Sequence, residues 1–203
     1  MKLYYCPWAC SLAAHIVLTE VGEPFDSESV DLKTKVTASG GDFNRVTTKG
    51  YVPALVLGDG EVITENVAVL YYLSTLYPAY GLEDALGRTR LLEVLSLVAT
   101  EIHKGFKPFW HGGTEEEKAA ASARLTALFQ QVVSGMVSDY LFGARPTVAD
   151  LYVFVMTLWA ARFGVEIPER LIALRRRIGE REGVKTTLRS EGMVMPKNMR
   201  EEG

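Results

Sequence analysis

The stretch that decides the fold is residues 49–73, which read KGYVPALVLGDGEVITENVAVLYYL. Two strand-like segments, 52–57 and 61–64, flank a Gly-Asp-Gly turn, a pattern typical of a β-hairpin. A segment with helical apolar spacing follows at 65–76. The stretch therefore predicts two antiparallel strands that lead directly into a helix.

The residues before this stretch predict a parallel unit that completes a small sheet. A strand at 3–5, a helix at 11–21 that Gly22 ends, and an alternating strand at 27–32 follow one another. Together with the hairpin and its helix, they give the order β-α-β-(α)-β-β-α. We therefore predict a small α/β domain over residues 1–80.

Beyond this domain the sequence predicts helices only. Apolar residues recur with helical spacing in four segments, 83–109, 115–140, 147–163 and 168–181. Thr147 and Asp150 have the spacing of a capping box before the third segment. The tail at 189–203 is polar, and we expect it to be loosely attached. The second domain, 81–203, is therefore predicted to be all-helical.

The composition excludes several classes of protein. The chain has 203 residues, 48% of them hydrophobic, and a formal net charge of −3, which argues against a general nucleic-acid binder. A group of arginines at 170, 175–177 and 181 is therefore interpreted as a solvated helix face. No apolar run reaches the roughly 18 residues of a membrane span. With two cysteines and no targeting segment, we expect a cytoplasmic protein with reduced thiols and no metal, nucleic-acid or membrane partner.

Cys10 is the first candidate for chemistry, because it lies at the predicted start of the helix 11–21. Free N–H groups and the helix dipole favour a thiolate there, so we expect a depressed pKa. Cys10 is then either an activated thiol or a donor to a bound one, and a small buried apolar residue is the alternative. Cys6 has the wrong spacing for a C-x-x-C pair and is predicted to serve packing.

Two features of the hairpin region point to a ligand. A cis bond between Val52 and Pro53 would leave the Val52 backbone free to pair with an extended ligand, and a plain trans turn is the alternative. Glu65 and Asn66 join a strand to a helix start. A carboxylate there can hold an ammonium, and helix N–H groups can hold a carboxylate, which suits an α-amino acid end. Simple helix capping by Thr64 is the alternative.

A polar stripe occupies one face of the predicted helix 83–109. Its members are spaced by 4, 3 and 4 residues: Ser96, Thr100, His103 and Lys107. Beside an apolar face, such a stripe indicates a water-filled cleft or a polar partner surface, and a solvated face is the alternative. His15 lies mid-helix with no acid nearby in sequence, so we expect it to be structural.

Four stretches, in this order, resemble the bacterial beta-class glutathione S-transferases. They are MKLYYCPWACSLAAHIVL at the start, the stretch quoted above, ATEIHKGFKPFW and TVADLYVF. The resemblance covers residues 1 to about 180. It implies a thioredoxin-like N-terminal domain, an all-helical C-terminal domain, a homodimer, and glutathione as co-substrate without a metal.

The matching positions imply a glutathione site. Its predicted members are Tyr5, Cys10, Lys35, Val52, Pro53, Glu65, Asn66, Ser96, Thr100, His103 and Lys104. By this resemblance Cys10 lies beside the glutathione sulfur, Lys35 meets the glycyl carboxylate, and Val52 pairs with the cysteinyl backbone. Glu65 and Asn66 hold the γ-glutamyl amino and carboxylate groups.

The same resemblance places His103 and Lys104 in the cleft near the sulfur, and makes Cys10 and His103 the predicted catalytic residues. Tyr5 matches a tyrosine close to Cys10. The implied activity is conjugation of glutathione to small, hydrophobic electrophiles, as in detoxification. We expect the acceptor site to be shaped by aromatic side chains, namely Trp8, Phe106, Phe109 and Trp110.

Alternatives to conjugation remain open. Because Cys10 can form a mixed disulfide with glutathione, thiol-disulfide or peroxidase activity is one alternative, and a glutathione-binding module without turnover is another. The chain also departs from the family pattern. Thr47-Thr48 replaces Asn-Pro, Ser96 replaces an Asn that contacts the partner's glutathione, Pro146 replaces a Phe, and Leu158 replaces an Arg near the acceptor pocket.

Overall fold

The structure is a computed structural model, and it describes residues 1–193. Within these residues the strands are β1 Lys2–Tyr5, β2 Asp26–Asp31, β3 Val36–Thr37, β4 Ala54–Val56 and β5 Val62–Thr64. They form one sheet in the order β3-β2-β1-β4-β5. β1 is parallel to β2, and the other neighbouring pairs are antiparallel. The predicted mixed, thioredoxin-like sheet is therefore confirmed.

The helices of the described chain surround this sheet and continue beyond it. They are α1 Leu12–Val21, α2 Asn66–Leu76, α3 Ala85–Leu97, α4 Lys107–Trp110, α5 Glu115–Ser134, α6 Val148–Phe163, α7 Glu169–Gly179 and α8 Glu182–Ser190. A π-helical segment, Val98–His103, follows α3 directly. The predicted order of an α/β part followed by an all-helical part is therefore confirmed. At the position of the bracketed helix in the predicted order β-α-β-(α)-β-β-α, the chain forms β3 and a short 3-10 turn instead.

The core of the molecule is shared by both parts of the chain. Alternate residues of β1 face opposite sides of the sheet: Leu3 packs with α1 and α2, and Tyr4 packs with Phe43 on the other face. On the first face, the core continues without interruption into the helical part through Phe106 and Phe154. The two parts therefore stabilise each other through one apolar cluster.

α6 forms the centre of the helical part, because every residue from 148 to 160 is buried. Its start carries the predicted capping box. The Asp150 Oδ2 atom accepts hydrogen bonds from the Thr147 N–H and hydroxyl, both at 2.8 Å. Oδ1 accepts from the Leu141 N–H, also at 2.8 Å. The Asp150 carboxylate therefore fixes both the start of α6 and the loop before it.

The single helix predicted at 83–109 is wrong. α3 ends at Leu97, the π-helical segment follows, and α4 begins again at Lys107. Pro108 has no N–H to donate within a continuous helix, so a new helix starts around it. Gly105 lies at this break, where a Cβ atom would come within 2.8 Å of Leu125 Cδ2. The predicted stripe is therefore divided among three elements with different surroundings.

Two further helix boundaries differ from the prediction. The helix predicted at 115–140 ends at Ser134, because the chain turns at Gly135. The helix predicted at 168–181 is instead α7, and α8 is a separate helix that the sequence reading missed. Between them Arg181 is extended, and its Nε atom pairs with Glu20 Oε1 of α1 at 2.7 Å.

The arginines at 170, 175–177 and 181 do not form a uniformly solvated face, so their interpretation as a solvated helix face is wrong in part. Arg175 is buried and donates to the Thr157 carbonyl oxygen of α6 at 3.3 Å. Arg181 makes the ion pair with Glu20, and Arg176 is exposed. α7 packs against α6, so water reaches only one side of the helix.

The segment that follows α8 is packed rather than loose. Glu191 and Met193 are buried, and Glu191 Oε1 lies 2.8 Å from His15 Nδ1. The expected loose attachment is therefore wrong for residues 189–193, and the rest of that prediction falls at 194–203, outside the described residues. His15 is 3% exposed, which agrees with its predicted structural role.

Candidate active site

The loop between β1 and α1 presents Cys10 at the edge of the sheet. α1 begins at Leu12, two residues later, and Trp8 takes a positive φ of 66°. Cys10 is 6% exposed, and its thiol donates to the Val52 carbonyl oxygen at 3.9 Å. The loop therefore brings the thiol against a residue 42 positions further along the chain.

The expected depression of the Cys10 pKa is wrong. Burial raises the pKa of the thiol to about 12, although the Cys10 and Ser11 backbone N–H groups act in the opposite direction. The desolvation cost of a buried thiolate is larger than the stabilisation that two backbone N–H groups at a helix start provide. At neutral pH Cys10 is therefore a thiol that can donate a hydrogen bond, rather than a thiolate.

The Val52–Pro53 peptide bond is cis, as predicted, so the trans alternative is wrong. Val52 is buried, and its carbonyl oxygen is the acceptor for the Cys10 thiol. β4 starts directly after this bond, at Ala54. The structure therefore brings Cys10, Val52 and Pro53 together, as the sequence analysis expected.

Glu65 lies at the start of α2 in a positive-φ conformation, with φ 70° and ψ 123°. Its Oε1 atom accepts from Lys49 Nζ at 2.9 Å and from the Tyr51 hydroxyl at 2.8 Å. These two donors, first Lys49 and then Tyr51, lower the pKa of Glu65. Within residues 1–193 the other oxygen, Oε2, accepts from no protein donor. The carboxylate is therefore charged, oriented, and open on one side to a cationic ligand group.

The alternative of simple capping by Thr64 is wrong. The residue that caps α2 is Glu65, and no side chain donates or accepts a capping bond there. Asn66, the first residue of the helix, is 8% exposed. Both polar atoms of its side chain lack a hydrogen-bond partner in the described part of the chain. Such a buried, unpaired amide is costly unless a ligand satisfies it.

Lys35 and Tyr5 have different surroundings. Lys35 has a positive φ of 61°, and its ammonium donates to the Gly50 carbonyl oxygen at 2.5 Å, next to the Tyr51 that holds Glu65. The ring of Tyr5 lies 4.8 Å from that of His15, and burial, then Glu191, raises its pKa. Lys35 therefore lies at the rim of the Glu65 group, whereas the contacts of Tyr5 are with the core.

His103, which is half-buried, pairs with the buried Tyr152 of α6. The His103 Nδ1 atom lies 2.7 Å from the Tyr152 hydroxyl oxygen. Burial, and then the charge of Lys104, lowers the pKa of His103 to about 4. Burial, and then the nearby Cys10, raises the pKa of Tyr152. At pH 7 both groups are neutral, and the hydrogen bond between them fits either assignment of its proton, to the Tyr152 hydroxyl or to His103 Nδ1.

Tyr152 is a functional candidate that the sequence analysis missed. It lies in the apolar part of α6, which packs in the core, and it is 1% exposed. A buried phenol needs a hydrogen-bond partner, and that need is the one signal in the sequence that could have identified it. Lys49 and Tyr51 were likewise quoted in the motif without a role, although they orient Glu65.

The remaining predicted positions divide into two groups. The charge of Lys104 lowers the pKa of both Glu65 and His103, so its ammonium lies close enough to interact with both groups. Ser96 and Thr100 are exposed, and the Thr100 hydroxyl donates to the Ser96 carbonyl oxygen at 3.0 Å. The structure therefore brings Lys104 to the site, but it gives Ser96 and Thr100 contact only with their own helical segment.

Aromatic side chains form a wall beside His103. The Trp159 ring lies 4.9 Å from His103 and 5.1 Å from Trp110, and its Nε1 atom donates to the Trp8 carbonyl oxygen at 2.8 Å. Trp8, Phe109 and Trp110 are half-buried, as residues that line an acceptor site should be. Phe106 is fully buried, so its expected place in the acceptor site is wrong, because it fills the core below.

No group of three histidine, cysteine or acidic side chains that could hold a metal ion occurs within residues 1–193. In the same part of the chain, no helix has both the length and the apolar composition to cross a membrane.

Comparison with known proteins identifies the family. Residues 5–76 match the family model described as "Glutathione S-transferase, N-terminal domain", and residues 94–178 match "Glutathione S-transferase, C-terminal domain". The chain is 40% identical over 200 residues to the glutathione S-transferase GstA of Escherichia coli O157:H7. That alignment covers 95% of this chain and 100% of the relative.

Solved structures give the same result. A bacterial beta-class glutathione S-transferase from Sphingomonas chungbukensis is 40% identical, with a TM-score of 0.86 over 96% of this chain and 100% of that one. A sphingomonad glutathione S-transferase complexed with glutathione is 37% identical, with a TM-score of 0.88 and the same coverage. The resemblance stated from the sequence is confirmed. The chain belongs to the glutathione S-transferase family: it is a transferase, and glutathione is its co-substrate.

Proposed function

We propose that this transferase conjugates reduced glutathione to small, mainly hydrophobic electrophiles, with Cys10 and His103 as the catalytic residues. In this reaction the glutathione thiol loses its proton to solvent, the sulfur forms a bond to an electrophilic carbon, and the leaving group departs with its electron pair. The observation that carries the proposal is the position of the Cys10 thiol, which donates to the Val52 carbonyl oxygen at 3.9 Å and which burial keeps neutral. The neutral Cys10 thiol is one donor, and the His103 Nε2–H is a second donor in the tautomer in which Tyr152 donates to Nδ1; such donors stabilise a thiolate.

The proposed glutathione contacts follow from groups that are open to a ligand. Glu65 Oε2 would accept from the γ-glutamyl ammonium. The unpaired Asn66 amide and the first N–H groups of α2 would bind the γ-glutamyl carboxylate. The Val52 backbone would pair with the cysteinyl residue, and Lys35 would exchange the Gly50 carbonyl for the glycyl carboxylate.

The thiol-disulfide or peroxidase alternative uses Cys10 as a nucleophile. The nucleophile in such exchange is a thiolate, and burial raises the pKa of Cys10 to about 12, which disfavours this alternative. A module that binds glutathione without turnover is the other alternative. The His103–Tyr152 pair favours catalysis over binding alone, because the binding of glutathione at Glu65 and Val52 does not require this pair.

One experiment separates these functions. The protein is bound to immobilised glutathione, and the eluted material is assayed with a chromogenic chloronitrobenzene and with a glutathione-linked disulfide reduction assay. We expect binding together with conjugation, and Cys10→Ala should keep some conjugation because His103 remains. Cys6→Ala is the matched control. Binding without any conjugation, or disulfide reduction that exceeds conjugation, would contradict the proposal.

We further propose that the enzyme is a homodimer that acts in cytoplasmic detoxification, with domains at 1–80 and 81–203. Exposed leucines on α2 and α3, namely Leu76, Leu86 and Leu92, support a partner surface there. Ser96 and Thr100 lie on the same stretch of helix, where they could reach the partner's glutathione. Sedimentation equilibrium tests the dimer, and Leu86→Glu is expected to weaken it.

A further inference from the structure

A groove beside α4, α5 and α6 contains a cation that the proposed reaction does not use. The groove has a volume of about 530 Å³. It is lined by two aromatic rings, by one face of α5 and by Arg162, namely by Phe109, Phe163, Glu115, Lys118, Ala119, Ser122 and Arg162. It therefore combines flat apolar surface with a positive charge.

Arg162 is held by aromatic rings alone. Its Cζ atom lies 4.6 Å from the ring centre of Trp8, 5.2 Å from that of Trp110 and 5.9 Å from that of Phe163. Arg162 is exposed, so these ring contacts leave its N–H donors open to solvent or to a ligand. No carboxylate pairs with Arg162 anywhere in residues 1–193. Lys118, in contrast, pairs with Glu115 at 2.7 Å, so Arg162 is the uncompensated charge of the groove in this part of the chain.

Arg162 joins the groove to the aromatic wall of the proposed reaction centre, because its guanidinium also lies over the Trp8 and Trp110 rings. Trp8 precedes Cys10 by two residues and is bound through its carbonyl oxygen to Trp159. Trp159 contacts the rings of both His103 and Trp110, so two aromatic rings separate His103 from Arg162. The buried Nε1 atom of Trp110 has no acceptor in the described residues, which leaves a second donor within the same cluster.

We propose that Arg162 binds the carboxylate of the acceptor, so that the enzyme prefers conjugated or aromatic electrophiles that carry an anionic group. A guanidinium donates two parallel N–H hydrogen bonds to a carboxylate, and the Trp8 and Trp110 rings would cover the flat body of such a substrate. The inference rests on the proposed function, since it specifies the second substrate of that reaction. The carboxylate is a handle for orientation and takes no part in the bond changes.

The test uses two acceptors that differ in one charge, 4-chloro-3,5-dinitrobenzoate and its methyl ester. With either one, the glutathione sulfur bonds to the chlorinated carbon, chloride leaves with its electron pair, and the thiol proton passes to solvent. We expect the ratio of kcat/KM for the acid to that for the ester to fall about tenfold in Arg162→Met. Arg162→Lys should retain part of the preference, and the exposed control Arg189→Met should leave the ratio unchanged.

The ratio of the two kcat/KM values is insensitive to a general loss of activity, because a disturbed Trp8 loop lowers kcat/KM for both acceptors in the same variant. A second measurement needs no turnover: the affinities of the two purified glutathione conjugates, determined by calorimetry. The acid conjugate should bind more tightly to the wild-type protein, and Arg162→Met should remove this difference. Equal ratios and equal differences in wild type and Arg162→Met would overturn the inference. If the wild type conjugates neither acceptor, the proposed function fails, and the conjugate affinities still decide the role of Arg162.

Discussion

The two sides of the candidate site are built in different ways. On the glutathione side, the backbone sets the geometry: Lys35 and Glu65 have a positive φ, and so does Trp8 in the loop that presents Cys10. On the acceptor side, ordinary helices bring His103, Trp159 and Arg162 together through ring contacts. Strained backbone is typical of ligand sites. We therefore expect substitutions on the glutathione side to change ligand binding without changing stability, and substitutions on the acceptor side to change both.

The largest expected effect is on the helix that supports the acceptor side. Asp150→Ala removes three hydrogen bonds from a fully buried carboxylate and leaves two N–H groups unpaired. The expected loss is about 3 kcal/mol in the free energy of unfolding, from the lost cap and the unpaired donors together. Urea denaturation measures it. Asp84→Ala, which removes an exposed cap of α3, is the matched control and should cost about 1 kcal/mol.

In the same Asp150→Ala preparation, the KM for glutathione of the folded enzyme should stay within about twofold of wild type, since the cap touches no predicted ligand contact. An unchanged denaturation midpoint, or a KM raised severalfold, would show that Asp150 serves the site rather than the scaffold.

The second effect concerns the glutathione side. Glu65→Gln removes the charge that we propose binds the γ-glutamyl ammonium, and we expect the glutathione Kd to rise roughly 10- to 100-fold. Because the side chain of Glu65 is 52% exposed, its surface pairing contributes little to stability, and the melting temperature should hardly change. Calorimetry and thermal denaturation measure the two quantities, with Glu61→Gln as control. Parallel losses of binding and stability would reduce Glu65 to a structural residue.

A smaller effect is expected at the contact between α6 and His103. Tyr152→Phe removes the hydroxyl that is hydrogen-bonded to His103 Nδ1 and should lower kcat/KM about fivefold, the equivalent of one neutral hydrogen bond. The glutathione Kd should stay constant, because Tyr152 positions the imidazole and is not a proposed ligand contact. Tyr77→Phe, which loses a hydroxyl bond to Glu23 instead, is the control. If Tyr152→Phe and Tyr77→Phe behave alike, Tyr152 is only a core residue.

The smallest expected effect is the absence of a histidine titration. The pKa of His103 is lowered to about 4, so the imidazole stays neutral as the pH falls from 7 to 5.5. The profile of kcat/KM should rise with pH as the glutathione thiol ionises, without a histidine step near the ordinary pKa of about 6.5. A step there that disappears in His103→Asn would mean that the imidazole is more open to water than its contacts indicate.

Those parts of the fold that depend on neighbouring residues could be predicted from the sequence. The Gly-Asp-Gly hairpin and the Thr147–Asp150 capping box are local patterns, and both were correct. The two-residue strand β3 and the break after Leu97 were not predicted, because they depend on packing against other elements. The loose attachment predicted for the segment after α8 was wrong for the same reason, since the Glu191–His15 contact joins residues 176 positions apart.

The candidate site divides in the same way. Glu65, Asn66 and the Val52–Pro53 bond could be identified because a carboxylate at a helix start and a proline at a strand start have local meaning. The proposed role of Arg162 could not, because it arises from rings that the fold brings to it, and the local signal at Tyr152, a phenol in an apolar helix, does not indicate its partner His103. The pKa of Cys10 was predicted in the wrong direction, since the helix start is local and the burial that outweighs it is not.

The state of Cys10 is the central point of this account, because a neutral thiol favours conjugation and a thiolate favours disulfide chemistry. The most direct test is the pH dependence of Cys10 alkylation in a Cys6→Ala variant without glutathione, so that a single thiol reacts. We predict a midpoint well above the value of about 8.5 for a free cysteine, because burial raises the pKa of Cys10 to about 12. A midpoint at or below 8.5 would contradict the account and return Cys10 to the role of a nucleophile.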